Sequence, residues 1–280
     1  MAQILDGKIV AKNIREQAAS DAASLKSQGK IVKLAIVLAS DDPSSLSYVN
    51  SIAKTAEKLG IETSIDKPAQ ISQSSLESTI AKLANDENIN GIMVQTPLPI
   101  EIDGKKLAGL IPLGKDVDGA NPLSAGRLNQ GLDCFAPATS QAIMEILKFY
   151  DVELSGKNSV IIGRSNIVGK PLAQLLLAQN STVTICHSKT NAVVDFTKNA
   201  DLLIAAIGRS KLISTEYVHK NLIIIDVGTN FDDNGKMTGD VDFDNVEPLV
   251  KAITPVPGGV GPVTTAVLLK QVCQAAKQSL

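Results

Sequence analysis

The chain has 280 residues, of which 44% are hydrophobic and 20% are charged, and its formal net charge is -2. This composition supports a sizeable buried core and a division into roughly two domains, and it argues against intrinsic disorder. Because acidic and basic residues are interspersed without a basic block, we do not expect a nucleic-acid partner.

The amino terminus and the cysteines indicate the compartment. The start, MAQILDGKIVAKNIREQ, has no apolar run behind a basic segment, and no stretch of the sequence reaches the ~18 to 20 apolar residues of a membrane-spanning helix. Cys134, Cys186 and Cys273 have no disulfide-type or zinc-type spacing, and two histidines are too few for a metal cluster. We therefore predict a cytoplasmic protein with no metal and no membrane partner.

Apolar runs of strand length alternate with segments of helical period along the first half of the chain. This alternation is typical of βαβ units with parallel strands. The predicted helices and strands cover, in chain order, helix 8–27, strand 32–39, helix 45–59, strand 61–66, helix 73–85 and strand 89–95.

The second half continues the alternation with four runs that are apolar enough to be buried on both faces, as parallel strands covered by helices are. The predicted elements are strand 158–163, helix 168–179, strand 181–186, helix 191–199 and strands 201–208 and 221–228. We therefore predict two α/β domains, of which the second is a Rossmann-like doubly wound parallel sheet.

Two Pro- and Gly-rich runs mark the passage between the domains, at residues 111–126 and 254–262. Glycine and proline are the strongest punctuators of regular structure. We place the first domain at residues 1–120 and 261–280, and the second domain at residues 121–260. A final helix follows the second run, and we expect it to pack back on the first domain.

A candidate nucleotide-binding turn, GRSNIVGKP, follows a buried strand and opens a helix at Gly163. Glycine lets the backbone turn tightly beside phosphate groups, and a helix N-terminus offers unpaired N–H donors. The segment is not a G-x-G-x-x-G motif, so a plain strand-to-helix turn with a capping serine is the alternative reading.

The end of the next strand favours NADP over NAD. An NAD site places an acidic residue there to bind the ribose 2′-hydroxyl. Here the strand ends in TICHSK, which contains no acid. With Arg164, Ser165 and Ser188 nearby, the pocket suits the 2′-phosphate of NADP.

Several polar segments stand at strand ends or helix starts, where open α/β sheets bind ligands. They are Ser47-Tyr48, the run VQTPLP at 94–99, the run KDVDG at 115–119 and the run PVPGGVGP at 255–262. Taken singly, each has a structural explanation, such as a proline-stopped strand, a charged turn or a rigid hinge. Their common placement favours a shared ligand cleft.

The motifs YVNSIAK, VQTPLP, KDVDG, GRSNIVGKP, CHSKT, DVGTN, GDVDF and TPVPGGVGPVT follow one another in this order. In order and spacing they resemble the bifunctional methylenetetrahydrofolate dehydrogenase/methenyltetrahydrofolate cyclohydrolases, over nearly the whole chain. The resemblance implies a homodimer with folate in the cleft between the domains and NADP on the second domain. It also implies oxidation of 5,10-methylenetetrahydrofolate by NADP+, then hydrolysis of the methenyl product to 10-formyltetrahydrofolate, as part of one-carbon metabolism.

The same resemblance implies roles for individual residues. Tyr48 would stack on the folate, Asp118 would hold its pterin ring, and Gln95 would support water addition. A flat heteroaromatic ring favours an aromatic face, and its N–H groups favour a carboxylate. The remaining implied residues are Pro257, Gly258 and Gly259 beside the folate, and Gly163, Arg164, Ser165, Ile167, Gly169, Ser188 and Thr229 at the cofactor.

The sequence departs from the family pattern four residues after Tyr48. The family has a lysine there that serves proton transfer in the cyclohydrolase step, whereas this chain has Ile52. Four residues return to the same side of a helix, so we expect Ile52 to face the cleft. Lys54 lies about 240° around the helix from Tyr48 and should point elsewhere.

Other departures surround the same cleft. Residues 135–142, FAPATSQA, stand where the family reads P-C-T-P-x-G, Thr96 replaces a leucine, and Ala120 replaces a large residue. The altered segment puts the local backbone at the domain junction in question.

Three hypotheses follow. The first is a working dehydrogenase with weak or absent cyclohydrolase activity, because the NADP motifs are intact while the proton-transfer group is lost. The second is a fully bifunctional enzyme in which another group or an ordered water replaces the lysine. The third is a folate- or NADP-binding paralogue that has lost turnover and serves as a binding or regulatory subunit.

Overall fold

The computed structural model of the chain describes residues 2–232 and 235–278. The strands are β1 (Gln3–Ile4), β2 (Lys33–Val37), β3 (Glu62–Asp66), β4 (Gly91–Val94), β5 (Asn158–Ile162), β6 (Thr182–Cys186), β7 (Leu202–Ala205), β8 (Ile223–Asp226), β9 (Asn230–Phe231), β10 (Met237–Thr238) and β11 (Ala252–Ile253). The α-helices are α1 (Gly7–Ser27), α2 (Pro43–Lys58), α3 (Gln73–Asn85), α4 (Gly104–Gly109), α5 (Pro122–Asn129), α6 (Ala138–Phe149), α7 (Gly169–Ala178), α8 (Val193–Thr197), α9 (Phe243–Val246) and α10 (Val260–Gln278). No helix of the described residues is long and apolar enough to cross a membrane.

The chain divides into two compact units. One comprises Asn13–Ala138 and Thr265–Leu280 and contains the parallel sheet β3-β2-β4. The other comprises Met1–Lys12 and Thr139–Thr264 and contains the parallel sheet β1-β11-β8-β7-β5-β6. We call them the three-stranded unit and the six-stranded unit. The prediction of two α/β domains, the second with a doubly wound parallel sheet, is confirmed.

The boundaries between the units differ from the domain boundaries predicted at residues 120 and 261. Residues 121–138 belong to the three-stranded unit because Asp116 binds the start of α5, accepting the backbone N–H of Asn121 at 3.0 Å and the hydroxyl of Ser124 at 2.6 Å. Residues 1–12 belong to the six-stranded unit because β1 pairs with β11.

In the three-stranded unit, α2 and α3 lie on opposite faces of the sheet. The connection from β2 to β3 and the connection from β3 to β4 run in opposite directions across the sheet. Because parallel crossover connections are right-handed, their helices cover opposite faces. Ile80 of α3 packs in one buried cluster with Ile92 of β4. Because side chains alternate along a strand, Met93 and Gln95 project to the face covered by α2.

Candidate functional site

Helix α2 carries Tyr48 and Ile52 one turn apart. Its start is fixed by Asp42, whose carboxylate accepts the backbone N–H of Ser45 at 2.8 Å. Tyr48 is 37% exposed, whereas Ile52 has no exposed surface. The buried side chains of the helix are Ser45, Val49, Ile52 and Ala56. Ile52 therefore belongs to the core-facing side of α2, and its role at the folate cleft stays a prediction.

Gln95 continues β4 by one residue, since its backbone N–H donates to the carbonyl of Val37 at 2.9 Å. Its side chain is 8% exposed, and its Nε2 donates to the carbonyl of Thr96 at 2.5 Å. Its Oε1 is buried and accepts no hydrogen bond from the described residues. Leaving a buried carbonyl oxygen without a donor costs about 1 to 3 kcal/mol. The Oε1 of Gln95 is therefore a candidate acceptor for a hydrogen bond from a ligand.

The loop that carries Asp118 is held by its two preceding charged residues. The ammonium of Lys115 donates to three carbonyls at the end of α3 and just beyond it, those of Leu83, Ala84 and Asp86, at 3.3, 2.9 and 2.7 Å. The buried carboxylate of Asp116 is occupied by α5 and by the backbone N–H of Ala120 at 2.9 Å. Both residues are therefore structural, and Asp118 is the acid of this motif that stays available for a ligand.

Asp118 and Tyr48 come together in this unit. Burial raises the pKa of Asp118 to about 7, with the nearby charge of Asp116 adding to the rise and the backbone N–H of Ala138 opposing it. Burial also raises the pKa of the Tyr48 phenol, Asp118 adds to that shift, and a hydrogen bond with the Thr265 side chain of α10 opposes it. A neutral phenol beside a carboxyl group of near-neutral pKa can bind a flat ligand that carries ring N–H donors.

The face that carries Gln95 also holds the Asp118 loop and α10. A Cβ on Gly91, two residues before Met93, would lie 2.8 Å from Val117 and 3.2 Å from Val272 of α10. The Nε2 of Gln271, also in α10, donates to the carbonyl of Val117 at 2.5 Å. As expected, the last helix packs on the first domain.

Lys54 lies away from these residues. It lines a surface groove of about 740 Å³ together with Lys26, Lys30 and Glu57. This placement agrees with the angle predicted from the helical period, so Lys54 does not stand in for the missing lysine.

In the six-stranded unit, the turn after β5 is shaped by two glycines. Gly163 has φ +140°, and a Cβ there would collide with the carbonyl of Ala206. A Cβ on Gly169 would collide with the carbonyl of Gly163. The Ser165 hydroxyl accepts the backbone N–H of Val168 at 3.1 Å. The turn is therefore a tight, glycine-dependent support for a ligand at the start of α7.

The altered segment at 135–142 supports this turn. It leads into α6, whose buried Ser140 directs its hydroxyl to the carbonyls of Ile167 and Val168, each at 3.1 Å. The loss of the family's proline and glycine thus leaves a helix start that still contacts the nucleotide-type turn.

A cavity of about 440 Å³ opens at the carboxyl ends of β5, β6 and β7. Its lining includes four of the predicted cofactor residues, Gly163, Arg164, Ser165 and Ser188, and none of its lining residues is acidic. Four polar residues of the lining were not predicted as cofactor residues from the sequence: His187, Thr190, Arg209 and Tyr217.

The other predicted cofactor residues do not line this cavity. Ile167 is 54% exposed, Thr229 is also exposed, and Gly169 packs under Gly163. The predicted substrate loop lies in the same unit, where the carbonyl of Gly258 accepts the backbone N–H of Gly7 at 2.9 Å. Close packing of this loop on the start of α1 agrees with the rigid-hinge alternative and leaves its role at the substrate a prediction.

Comparison with known proteins identifies relatives over both units. Residues 5–118 match the family model of the tetrahydrofolate dehydrogenase/cyclohydrolase catalytic domain, and residues 137–280 match that of its NAD(P)-binding domain. The bifunctional protein FolD of Campylobacter hominis is 45% identical over 279 residues, which cover 99% of this chain and 98% of that protein.

Solved structures of relatives superpose on nearly the whole chain. The bifunctional FolD methylenetetrahydrofolate dehydrogenase/cyclohydrolase from Campylobacter jejuni superposes with a TM-score of 0.98 at 42% identity, covering 100% of both chains. The methylenetetrahydrofolate dehydrogenase-cyclohydrolase of Trypanosoma brucei, solved with NADP and an inhibitor, gives a TM-score of 0.94 at 34% identity, covering 99% of this chain and 98% of that one.

Proposed function

Because this chain belongs to the tetrahydrofolate dehydrogenase/cyclohydrolase family, we propose that it oxidises 5,10-methylenetetrahydrofolate with NADP+ and hydrolyses the methenyl product only slowly. The chain is an enzyme of the methylenetetrahydrofolate dehydrogenase type. The weakened second step is the part of the proposal specific to this chain.

The cavity of the six-stranded unit supports NADP as the cofactor. Its glycine turn leaves room for phosphate groups, Arg164 brings a fixed positive charge, and Ser165 and Ser188 bring hydroxyl groups. When bound, the cofactor supplies the hydride acceptor. The contribution of the chain is to bind and orient it.

The three-stranded unit supports folate binding. The ring of Tyr48 offers a partly exposed aromatic face, and Asp118 offers a carboxylate for ring N–H donors. These residues bind and orient a substrate, and neither is needed to remove a proton during hydride transfer.

One observation carries the proposal of weak hydrolysis: the buried Ile52 is wholly apolar where the family has its proton-transfer lysine, and in the same unit the buried Oε1 of Gln95 has no donor among the described residues. A lysine at residue 52 would supply a group for proton transfer. Isoleucine does not, and a positioned acid or base typically contributes about 10²- to 10⁴-fold.

The competing candidate is a fully bifunctional enzyme, which the likeness to bifunctional relatives favours. Direct comparison of the two half-reactions separates the candidates. We expect hydrolysis of added methenyltetrahydrofolate, corrected for the protein-free rate, to be far slower than oxidation of methylenetetrahydrofolate. Equal rates would support the bifunctional candidate.

We predict that Arg164→Ala raises the apparent dissociation constant for NADP+ by roughly tenfold or more, because one charge-assisted hydrogen bond to the 2′-phosphate is lost. Binding of NAD+, which lacks that phosphate, should change little. Titration calorimetry with both cofactors measures the effect. An equal loss for both would remove Arg164 from the 2′-phosphate site.

We predict that folate binding strengthens from pH 6 to pH 8. The pKa of Asp118 is raised to about 7 by burial and by Asp116, so its ionised fraction grows as the pH passes through that value. If the carboxylate is the form that accepts ring N–H groups, affinity should rise about tenfold over this range. Asp118→Asn should flatten the profile, and a profile unchanged by that substitution would assign the pH dependence to another group.

The remaining proposals rest on the resemblance alone. They are the homodimer, the substrate-loop role of Pro257, Gly258 and Gly259, and the cofactor contacts of Ile167 and Thr229. Sedimentation of the purified chain tests the homodimer.

A further inference from the structure

The cavity of the six-stranded unit contains two arginines that reach it from neighbouring strands. Arg164 follows β5 and Arg209 follows β7, and β5 and β7 pair in parallel, with Ile162 beside Ala205 at their carboxyl ends. Parallel strands end at the same edge of a sheet, so both side chains start from adjacent points on the rim.

The two positive charges are not balanced within the cavity. No acidic residue lines it, and neither guanidinium forms a salt bridge with another of the described residues. The other polar residues of the lining are Ser165, His187, Ser188, Thr190 and Tyr217, four of which carry a hydroxyl group. Two guanidinium groups with hydroxyl donors favour a doubly charged phosphate monoester.

The backbone that carries Arg209 is held by one buried carboxylate. Asp240 has no exposed surface and accepts the backbone N–H groups of Ile207, Gly208 and Arg209 at 2.6, 3.0 and 2.9 Å. It also accepts the side-chain amide of Asn230 at 2.9 Å. Arg209 therefore projects from a fixed loop, so less conformational freedom is lost when its side chain binds a ligand.

The rest of the cavity suits a flat base next to the phosphate. Apolar surface from Ile207, Leu212 and Ile213 and the ring of Tyr217 lines it. Adenosine 2′-phosphate, the end that distinguishes NADP from NAD, combines such a base with a phosphate monoester.

We infer that Arg209 is a second specificity-determining residue, which binds the 2′-phosphate of NADP together with Arg164. This inference rests on the proposed function, because it assigns a residue to the cofactor proposed there. The inference adds a second positively charged side chain, which follows a different strand from Arg164. It predicts that both arginines contribute to the preference for NADP over NAD.

Calorimetric binding of NADP+ and NAD+, without folate, tests the inference on the full chain. Arg209→Ala should weaken NADP+ binding at least about tenfold and leave NAD+ binding within about twofold. The double variant Arg164→Ala/Arg209→Ala should lose most of the preference for NADP+, because only the hydroxyls of Ser165 and Ser188 then remain for the 2′-phosphate. Lys220→Ala, which removes an exposed positive charge of the same unit outside the cavity, is the matched control and should change neither affinity.

The outcomes separate the inference from the proposed function. If the unaltered chain prefers NADP+ and Arg209→Ala keeps that preference, the role of Arg209 is wrong and the proposed function stands. Equal weakening of both cofactors would also overturn it, since Arg209 would then contact their common part. If the unaltered chain binds neither cofactor, both the proposed function and the inference fail.

Discussion

Ile52→Lys should raise the hydrolysis of methenyltetrahydrofolate by about 10²- to 10⁴-fold, the contribution of one positioned proton-transfer group. Ile52 is fully buried on the core-facing side of α2, on the face of the sheet to which Gln95 projects. The methylene stem of a lysine can cover the same apolar surface while its ammonium extends toward a polar partner. The Oε1 of Gln95, which has no hydrogen-bond partner among the described residues, is the polar atom that we expect such an ammonium to approach.

The oxidation of methylenetetrahydrofolate should change far less in this variant, because the cofactor carries the hydride chemistry. Ile52→Met is the matched control, since it introduces an unbranched side chain, as lysine does, but one that is apolar and has no proton to transfer. NADP+ binding by both variants verifies that the protein is folded. An equal gain from methionine and lysine would show that side-chain shape, and not proton transfer, limits hydrolysis.

Asp118→Ala should weaken folate binding by about 10- to 150-fold, the equivalent of about 1.5 to 3 kcal/mol for a hydrogen bond to a charged group. Lys115 and Asp116 hold the loop through their own contacts, so the loop should keep its shape without the Asp118 side chain. NADP+ binding should be unchanged. Calorimetry with tetrahydrofolate at pH 8, where most of Asp118 is ionised, gives the largest difference.

Glu101→Ala, which removes an exposed acid of the same unit, is the control for a general change in charge. It should leave folate affinity as it was. Unchanged affinity in Asp118→Ala as well would exclude Asp118 from the folate site, while parallel loss of NADP+ binding would indicate damage to the fold.

The sequence predicts the parallel strands well because their apolar runs are unmistakable. The run predicted at 158–163 forms Asn158–Ile162, and the helix predicted at 73–85 forms Gln73–Asn85. The two-residue strands β1 and β11 are missed, since they form only by pairing with each other and with β8, and no local pattern signals them.

Site residues that stand in a sequence motif are predictable from the sequence. Site residues that are brought in by strand pairing are not. Tyr48 and Asp118 stand in motifs, and the structure brings them together. Arg209 is a single exposed arginine after a strand, which in a sequence resembles any surface charge. Only the pairing of β5 with β7 places it beside Arg164. Likewise, the helical period puts Ile52 beside Tyr48, but only the packed structure reveals that the buried Oε1 of Gln95 has no donor among the described residues.

The central claim is that oxidation and hydrolysis are uncoupled in this chain, and one assay tests it most directly. The protein is mixed with methylenetetrahydrofolate and NADP+, and the absorbance bands of the reduced cofactor and of methenyltetrahydrofolate are followed together, with the protein-free hydrolysis rate subtracted. We expect the two products to rise in nearly equal amounts, because the methenyl compound is formed and not consumed. Formation of reduced cofactor without accumulation of the methenyl compound would contradict the claim, because hydrolysis would then keep pace with oxidation.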